Sequence, residues 1–397
     1  MDMEVAYKED LLTSFAEAFS FDRLTDVRVF FAPGRVNLIG EHTDYNGGYV
    51  FPGALTNGTY MVIKLRDDGE YHLRSANFDT SVVFRNSDLR FDPKDDWGNY
   101  PKGIIAELAK LGVDLPGATI YFYGNIPNGA GLSSSASIGM VTAYGLTQCS
   151  GVDIDRVTLA KLCQRMENDF IGVSTGLMDQ FAVGMGKKDH ALFLNTSTLE
   201  YDQVPLILKG YKLVITNSNK RRGLADSKYN ERRRECEMGL EQLRKKQPNL
   251  SHLGEVTEEM FAELGPVIED ELIYRRVRHV VTEDARVLAA VSALKAGELQ
   301  TFGELMKASH LSLREDYDVT GVELDTLFDL QASAPGCIGT RMTGAGFGGC
   351  TVSIVHEEEI TAFQTVVSKG YEKKIGYKPT FYVTELGDGV NEWKGGA

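Results

Sequence analysis

Residues 125–137 read NIPNGAGLSSSAS, glycines followed by three consecutive serines, between a strand-like and a helix-like stretch. Glycine lets the backbone approach a ligand closely, and the unpaired N–H groups and dipole of a helix start favour an anion. The hydroxyls of Ser133, Ser134 and Ser135 add donors, and one could ligate a magnesium ion. The run points to a phosphate cradle, in competition with a plain serine-capped helix start. It is not a Walker loop, because no G-x-x-x-x-G-K-[ST] occurs.

A second stretch, residues 344–349 (GAGFGG), formally satisfies G-x-G-x-x-G. A dinucleotide site needs a helix after the glycines, and CTVSIV at 350–355 is strand-like, so that reading fails. No H-R-D or D-F-G accompanies it, which removes the protein kinases. A functional loop and a tight structural turn both remain open here. The third stretch, residues 32–48 (APGRVNLIGEHTDYNGG), crowds Glu41, His42 and Asp44 into four positions. Such acceptors suit a polyhydroxyl ligand, although Asp44 and Asn46 are also ordinary turn formers. One histidine among carboxylates is thin for zinc. Arg35 beside them is an anion-binding candidate.

Two further carboxylates sit in apolar company. Glu167 falls one helical turn after Cys163, and Asp179 lies within GLMDQF at 176–181. A charge in such surroundings calls for a partner, a metal or a catalytic role, although Glu167 alone also fits an ordinary helix-face acid.

The elements that must hold these residues are a mixture of strands and helices. VRVFFA at 27–32, YMVIKLR at 60–66 with the stretch 71–74, ATIYFY at 118–123 and KLVITN at 212–217 read as strands. The stretches 60–66 and 71–74 flank Asp67-Asp68-Gly69, which predicts a hairpin. Residues 136–149, 157–170, 227–246 and much of 256–331 read as helices, 336–342 as a glycine loop, and 350–355 as a strand. This order implies an α+β protein in two lobes, 1–206 and 207–397, with the site between them.

The chain of 397 residues carries 56 acidic and 42 basic side chains, a formal charge of −14. That balance argues against nucleic acid or an anionic membrane as partner. The basic clusters at 220–222, 232–234 and 275–278 read as solvated helix faces. Five dispersed cysteines without a CxxC pair read as reduced thiols of a cytoplasmic protein. The acidic N-terminus is unlike a signal peptide, and no apolar run is long enough to span a bilayer.

Together the three glycine-rich stretches resemble the three motifs of the GHMP small-molecule kinases, and residues 34–48 resemble the branch that acts on galactose. SANF at 75–78, WGNYPKG at 97–103, MDQ at 178–180 and SKYNERR at 227–233 extend the likeness in order along nearly the whole chain. Asn128 and Pro101 stand where the family more often has an apolar residue.

The resemblance implies transfer of a phosphoryl group from Mg-ATP to the C1 hydroxyl of galactose, with Mg²⁺ as cofactor. It makes Asp179 the base and Arg35 the group that keeps it ionised and stabilises the transition state. Ser135 and Glu167 become the metal ligands. Gly129, Ala130, Gly131, Leu132, Ser133, Ser134 and Ser135 become the phosphate loop. Ser75 and Trp97 lie near adenine, and Glu41, His42, Asp44 and Tyr229 contact the sugar. Residues 344–349 would pack on the phosphate loop. The alternatives are a silent galactose and ATP sensor, or a kinase for a modified sugar such as N-acetylgalactosamine. A monomer suffices for any of these.

Overall fold

The computed structural model describes residues 3–113, 115–127, 131–173, 175–220 and 225–394. A six-stranded sheet runs in the order Asn391–Glu392, Val27–Asn37, Pro52–Leu65, Ala118–Gly124, Glu70–Ser75, Val82–Arg85. Side chains alternate across it, as a pleat requires. Phe30, Met61 and Ile63 face the helices Asn99–Lys110, Ser134–Ser150 and Arg156–Arg165, while Val29 and Val62 face the helix Met3–Phe19. The sheet is thus covered on both sides, and its central strands are apolar on both faces. Helix Ser134–Ser150 lies close because Gly145 leaves room for Met61; a Cβ there would meet the Met61 methyl at 2.1 Å.

The predicted hairpin around Asp67-Asp68-Gly69 does not form a pair. Strand Ala118–Gly124 inserts between Pro52–Leu65 and Glu70–Ser75, antiparallel to the first and parallel to the second. The turn chemistry reverses the chain as expected. The apolar strand from fifty residues later supplies a better two-sided neighbour than the short half-exposed one.

The later half builds an antiparallel sheet, Cys337–Thr343, Cys350–His356, Tyr211–Asn217, Thr380–Thr384. Helices Glu271–Lys295, Leu299–Ser312, Gly321–Ala332 and Ile360–Ile375 cover it. The expected glycine loop at 336–342 is instead mostly the strand Cys337–Thr343. Its glycine serves packing: a Cβ on Gly339 would stand 2.5 Å from the Gly303 Cα of the covering helix. A three-stranded sheet, Tyr49–Val50, His190–Asn195, Tyr201–Pro205, completes the chain. One apolar cluster contains Leu38, Ile39 and Leu132 together with Ile215, Val352 and Phe302. It welds the loops of the first half onto the second sheet.

Two basic clusters differ from the expectation of solvated faces. Arg232 and Arg276 are 3% and 2% exposed, and both donate to Glu235. They also donate to the backbone carbonyls of Tyr317 and Asp316, at 2.7 and 2.6 Å. Buried guanidinium groups need such partners, so these arginines fix the turn at 313–318 rather than face water. Arg221 and Arg222 of the third cluster lie outside the described residues.

Candidate active site

A β-bulge between Pro33 and Arg35 starts the site. The bulge breaks the ladder and re-aims the following side chain. Gly34 is required there, since a Cβ would stand 2.7 Å from the Leu132 carbonyl oxygen, to which the Arg35 N–H donates at 3.1 Å. The strand is thereby stitched to the run 131–135. Arg35 Nε and Nη2 donate to Oδ1 and Oδ2 of Asp179 at 2.8 and 2.9 Å, and Nη1 donates to the Gly131 carbonyl at 2.7 Å. This bidentate fork fixes the carboxylate's orientation as well as its charge.

Asp179 sits in the first turn of helix Met178–Met185 and is 30% exposed to the cavity before it. Ser133 also donates to Asp179 Oδ2. Ser133 precedes helix Ser134–Ser150 with φ +62° and makes no side-chain capping bond. A left-handed non-glycine residue costs about 1–3 kcal/mol, and strain of this kind concentrates at functional sites. The plain capping reading therefore does not describe Ser133.

A cavity of about 300 Å³ opens in front of Asp179, lined by Arg35, Glu41, His42, Asp44, Ser133–Ser135, Tyr229 and Ala345 among others. Glu41 is held by Arg341, whose Nη2 donates to Oε2 at 2.8 Å, with both side chains buried. Burial raises the Glu41 pKa, and the charge of Arg341 opposes that rise. Burial, with the nearby charges of Asp179 and Glu41, pushes Asp44 up to about 7. Both ring nitrogens of His42 already have protein partners, Tyr45 Oη at 2.8 Å and the Ala345 carbonyl at 3.2 Å. The Tyr229 ring centroid lies 5.6 Å from that of His42. Gly344, which a Cβ would bring to 3.5 Å from the Gly131 carbonyl, sets the glycine loop 344–349 against the glycine–serine run 131–135.

Glu167 belongs to a π-helical turn, Met166–Ile171, following helix Arg156–Arg165. The expected continuous helix is interrupted there, as at many functional sites, because the extra residue per turn redirects a side chain. Gln180 donates to Glu167 Oε2 at 3.0 Å, while the buried Oε1 makes no hydrogen bond among the described residues. Burial and the charge of Asp179 push this carboxyl up to about 7; the neighbouring Ser135 and Thr175 hydroxyls favour its ionised form without closing a bond on Oε1. An orphaned buried carboxylate oxygen beside a serine hydroxyl fits a hard divalent cation that takes its remaining oxygens from water and phosphate. Among the described residues no cluster of three or more ligating side chains could hold a metal alone.

A second cavity of about 160 Å³ adjoins the first through Ile126, Ser134 and Ser135. Its walls include Ser75, Trp97, Tyr100 and Phe122, and Trp97 stacks on Phe78 at 6.1 Å and 17°. Flat apolar walls of this kind suit a planar heterocycle. Gly129 and Ala130 lie outside the described residues.

Sequence reading missed the residues that hold the sugar-signature loop from behind. Helix Glu271–Lys295 supplies three on one face. His279 Nε2 donates to the Glu41 carbonyl at 3.1 Å, Glu283 Oε1 accepts from Gly40 and Glu41 N–H at 2.9 and 3.2 Å, and Asp284 Oδ1 accepts from Tyr49 N–H at 2.7 Å. The one signal was polar residues at 279, 283 and 284 on an otherwise apolar helix face.

The two raised carboxyls give the free protein a pH signature. Asp44 and Glu167 titrate near 7 in the folded chain and near 4 when unfolded, so between those values the native state binds more protons. Their stabilising share is complete below about pH 4 and is lost as pH rises through about 7. Thermal denaturation from pH 5 to 8 is expected to show a shallower fall in Tm for Asp44→Asn than for wild type. Parallel curves would refute the Asp44 contribution.

Family models match this chain in three places: the galactokinase galactose-binding signature at residues 13–65, the GHMP kinases N-terminal domain at 99–187, and the GHMP kinases C-terminal domain at 290–373. The class defined by the fold and the cleft is therefore the GHMP small-molecule kinases. A mevalonate kinase structure superposes with a TM-score of 0.66 at 20% identity, over 90% of this chain and 98% of its own, and shares the fold. Closer likenesses narrow the class. A Halalkalibacterium halodurans galactokinase is 99% identical over 395 residues, covering 100% of each chain. A Clostridium acetobutylicum galactokinase is 54% identical over 367 residues, 92% of this chain and 94% of that one. The crystal structure of Lactococcus lactis galactokinase complexed with galactose superposes with a TM-score of 0.91 at 42% identity, over 96% of this chain and 100% of its own. The chain belongs to the galactokinase family. Among the described residues no helix is long and apolar enough to cross a membrane.

Proposed function

We propose that this chain transfers the γ-phosphoryl group of ATP to the C1 hydroxyl of α-D-galactose, giving α-D-galactose 1-phosphate and ADP. The observation that carries the reading is the Arg35–Asp179 fork, held open to a cavity between the serine run and the Glu41–Asp44 loop. Phosphoryl transfer asks chiefly for positioning and charge stabilisation, and each role has an owner here. Asp179 accepts the C1 hydroxyl proton as the oxygen attacks phosphorus. Arg35 orients that carboxylate through its two hydrogen bonds and faces the charge that develops on the transferring group. The run from Gly131 through Leu132, Ser133, Ser134 and Ser135 cradles the phosphates with its backbone N–H groups at the helix start.

Glu41, Asp44, His42 and Tyr229 surround the sugar. Polar groups left unpaired by a wrong epimer reject it more strongly than an apolar wall does. Ser135 and Glu167 would hold Mg²⁺, which supplies charge neutralisation on the phosphate oxygens when bound. Adenine lies in the Trp97 and Ser75 cavity. Two lobes dividing near residue 207 enclose the cleft, a reading supported by the two larger sheets, although among the described residues the strand Asn391–Glu392 and the Leu55–Leu386 bridge cross back. We place the protein in the cytoplasm, a reading supported by five dispersed cysteines without a CxxC pair.

A coupled assay of ADP release with Mg-ATP tests the proposal across galactose, glucose, N-acetylgalactosamine, mevalonate and homoserine. Turnover with galactose alone is expected; silence on all of them, with galactose and ATP still bound, would overturn it. The adenine assignment has its own test in Phe78, 47% exposed and stacked on Trp97. Losing an aromatic wall costs about 1 kcal/mol, so Phe78→Ala should raise KM for ATP about fivefold and leave KM for galactose alone. The reverse pattern would move adenine elsewhere.

A further inference from the structure

We propose that Tyr45 and Tyr317 are positioning residues for the sugar: they form a hydrogen-bond relay that ends on Nδ1 of His42, an Nε2–H tautomer, and holds the ring that ties the sugar loop to the glycine loop. The proposal rests on reading the 300 Å³ cavity as the galactose site. His42 lines that cavity and is 4% exposed, in a left-handed conformation with φ +62°. The direction of the relay follows from what each group is able to donate.

The Ala345 carbonyl can only accept, so His42 Nε2, at 3.2 Å, carries the proton. Nδ1 is then the acceptor, and Tyr45 O–H donates to it at 2.8 Å. Having spent its proton, the Tyr45 oxygen accepts from Tyr317 O–H at 2.8 Å. The Tyr317 oxygen in turn accepts from the Cys236 thiol, 3.0 Å away in the core. No other assignment gives every group a partner of the right kind, and burial holds the imidazole neutral, its pKa pushed down to about 3.

The relay is braced at its far end. Tyr317 is fully buried, and its ring packs 4.9 Å from that of His42 and 4.4 Å from that of His279. Its backbone carbonyl accepts from Arg232, one of the two buried arginines bound to Glu235. The basic cluster expected to be a solvated helix face thus holds the tyrosine that orients Tyr45. Without Tyr45 O–H, Nδ1 of His42 would lose its donor, and the Ala345 carbonyl alone would be left to hold the ring. The latch between the loops at 40–48 and 344–349 would then open on the sugar side of the cleft, away from the Trp97 cavity.

The test uses the full-length protein labelled with ¹⁵N-histidine, together with Tyr45→Phe and Tyr317→Phe. Long-range ¹H–¹⁵N spectra should show His42 as the Nε2–H form in wild type and in Tyr45→Phe, with the Nδ1 resonance shifted downfield in that variant as its hydrogen-bond donor is lost. One lost neutral hydrogen bond is worth up to about a tenfold change in affinity, so KM for galactose should rise about tenfold with kcat within about twofold and KM for ATP unchanged. Tyr317→Phe keeps the Tyr45 donor and should move the same readouts in the same direction by less. An Nδ1–H form in wild type would overturn the proposal, as would an Nδ1 resonance left unmoved in Tyr45→Phe. Equal losses in both KM values would also overturn it, by marking the tyrosines as general core residues. The spectra stand apart from catalysis, so a wild-type chain inactive on galactose would defeat the proposed function and leave the tautomer result readable.

Discussion

Asp179→Asn is expected to abolish turnover, lowering kcat by about 10³-fold or more, while ATP binds as tightly as to wild type. General-base catalysis contributes about 10²–10⁴-fold, and the amide keeps the shape of the side chain while losing its basicity. It also disturbs the fork. Arg35 Nε and Nη2 both donate to this carboxylate, and an amide offers one acceptor and turns an NH₂ toward the other donor. Asparagine therefore removes the proton acceptor and part of the charge that Arg35 faces. In the proposed function the nucleotide meets the protein elsewhere, along the serine run and the Trp97 cavity, so its affinity provides the control. Single-turnover measurements with galactose, paired with titration of a fluorescent nucleotide, separate the two effects. Retention of even a tenth of wild-type kcat would remove Asp179 from the chemistry.

Arg341→Met should be the most destabilising single change around the sugar loop, by about 3–5 kcal/mol. Arg341 is fully buried on strand Cys337–Thr343 and donates to Glu41 Oε2 and to the Asn37 carbonyl, each at 2.8 Å. Methionine fills much of the space but strips Glu41 of its cation, so the buried carboxyl must bear an uncompensated charge or take up a proton, burial already raising it against the opposing pull of Arg341. Breaking one side of a buried pair costs far more than removing both. Urea unfolding of Arg341→Met, Glu41→Gln and the double variant would measure this. The double variant should recover a good part of the loss, and a single-variant cost below about 1 kcal/mol would show that Glu41 finds water or another partner. Galactose affinity should fall in all three, because Glu41 lines the cavity in its fixed orientation only while the pair holds.

The elements around the site were legible to different degrees, for identifiable reasons. Helix Ser134–Ser150 and strand Ala118–Gly124 follow from local pattern, because apolar periodicity and a glycine–serine boundary act over a few residues. Pairing did not follow. The Asp67-Asp68-Gly69 turn looked like a hairpin, yet strand Ala118–Gly124 separates its two arms. Pairing is a contest between distant strands for a two-sided neighbour, and no short window contains both competitors. The π turn at Met166–Ile171 was read as plain helix, since one extra residue leaves apolar spacing almost unchanged while swinging Glu167 toward Ser135.

By itself the sequence determined the chemistry on offer. The glycines at 129, 131 and 344–349, the serines at 133–135 and the loop with Glu41, His42 and Asp44 announce their roles because backbone freedom and donor inventory belong to the residue. Only the tertiary structure decided which groups face one another. Arg35 meets Asp179 across 144 residues, and Arg341 meets Glu41 across 300. Glu283 and Asp284 clamp the sugar loop from a helix more than 200 residues away. A buried charge or an imidazole tautomer takes its state from the partner a few ångströms distant. That distance comes into being only when the two sheets close over their shared core.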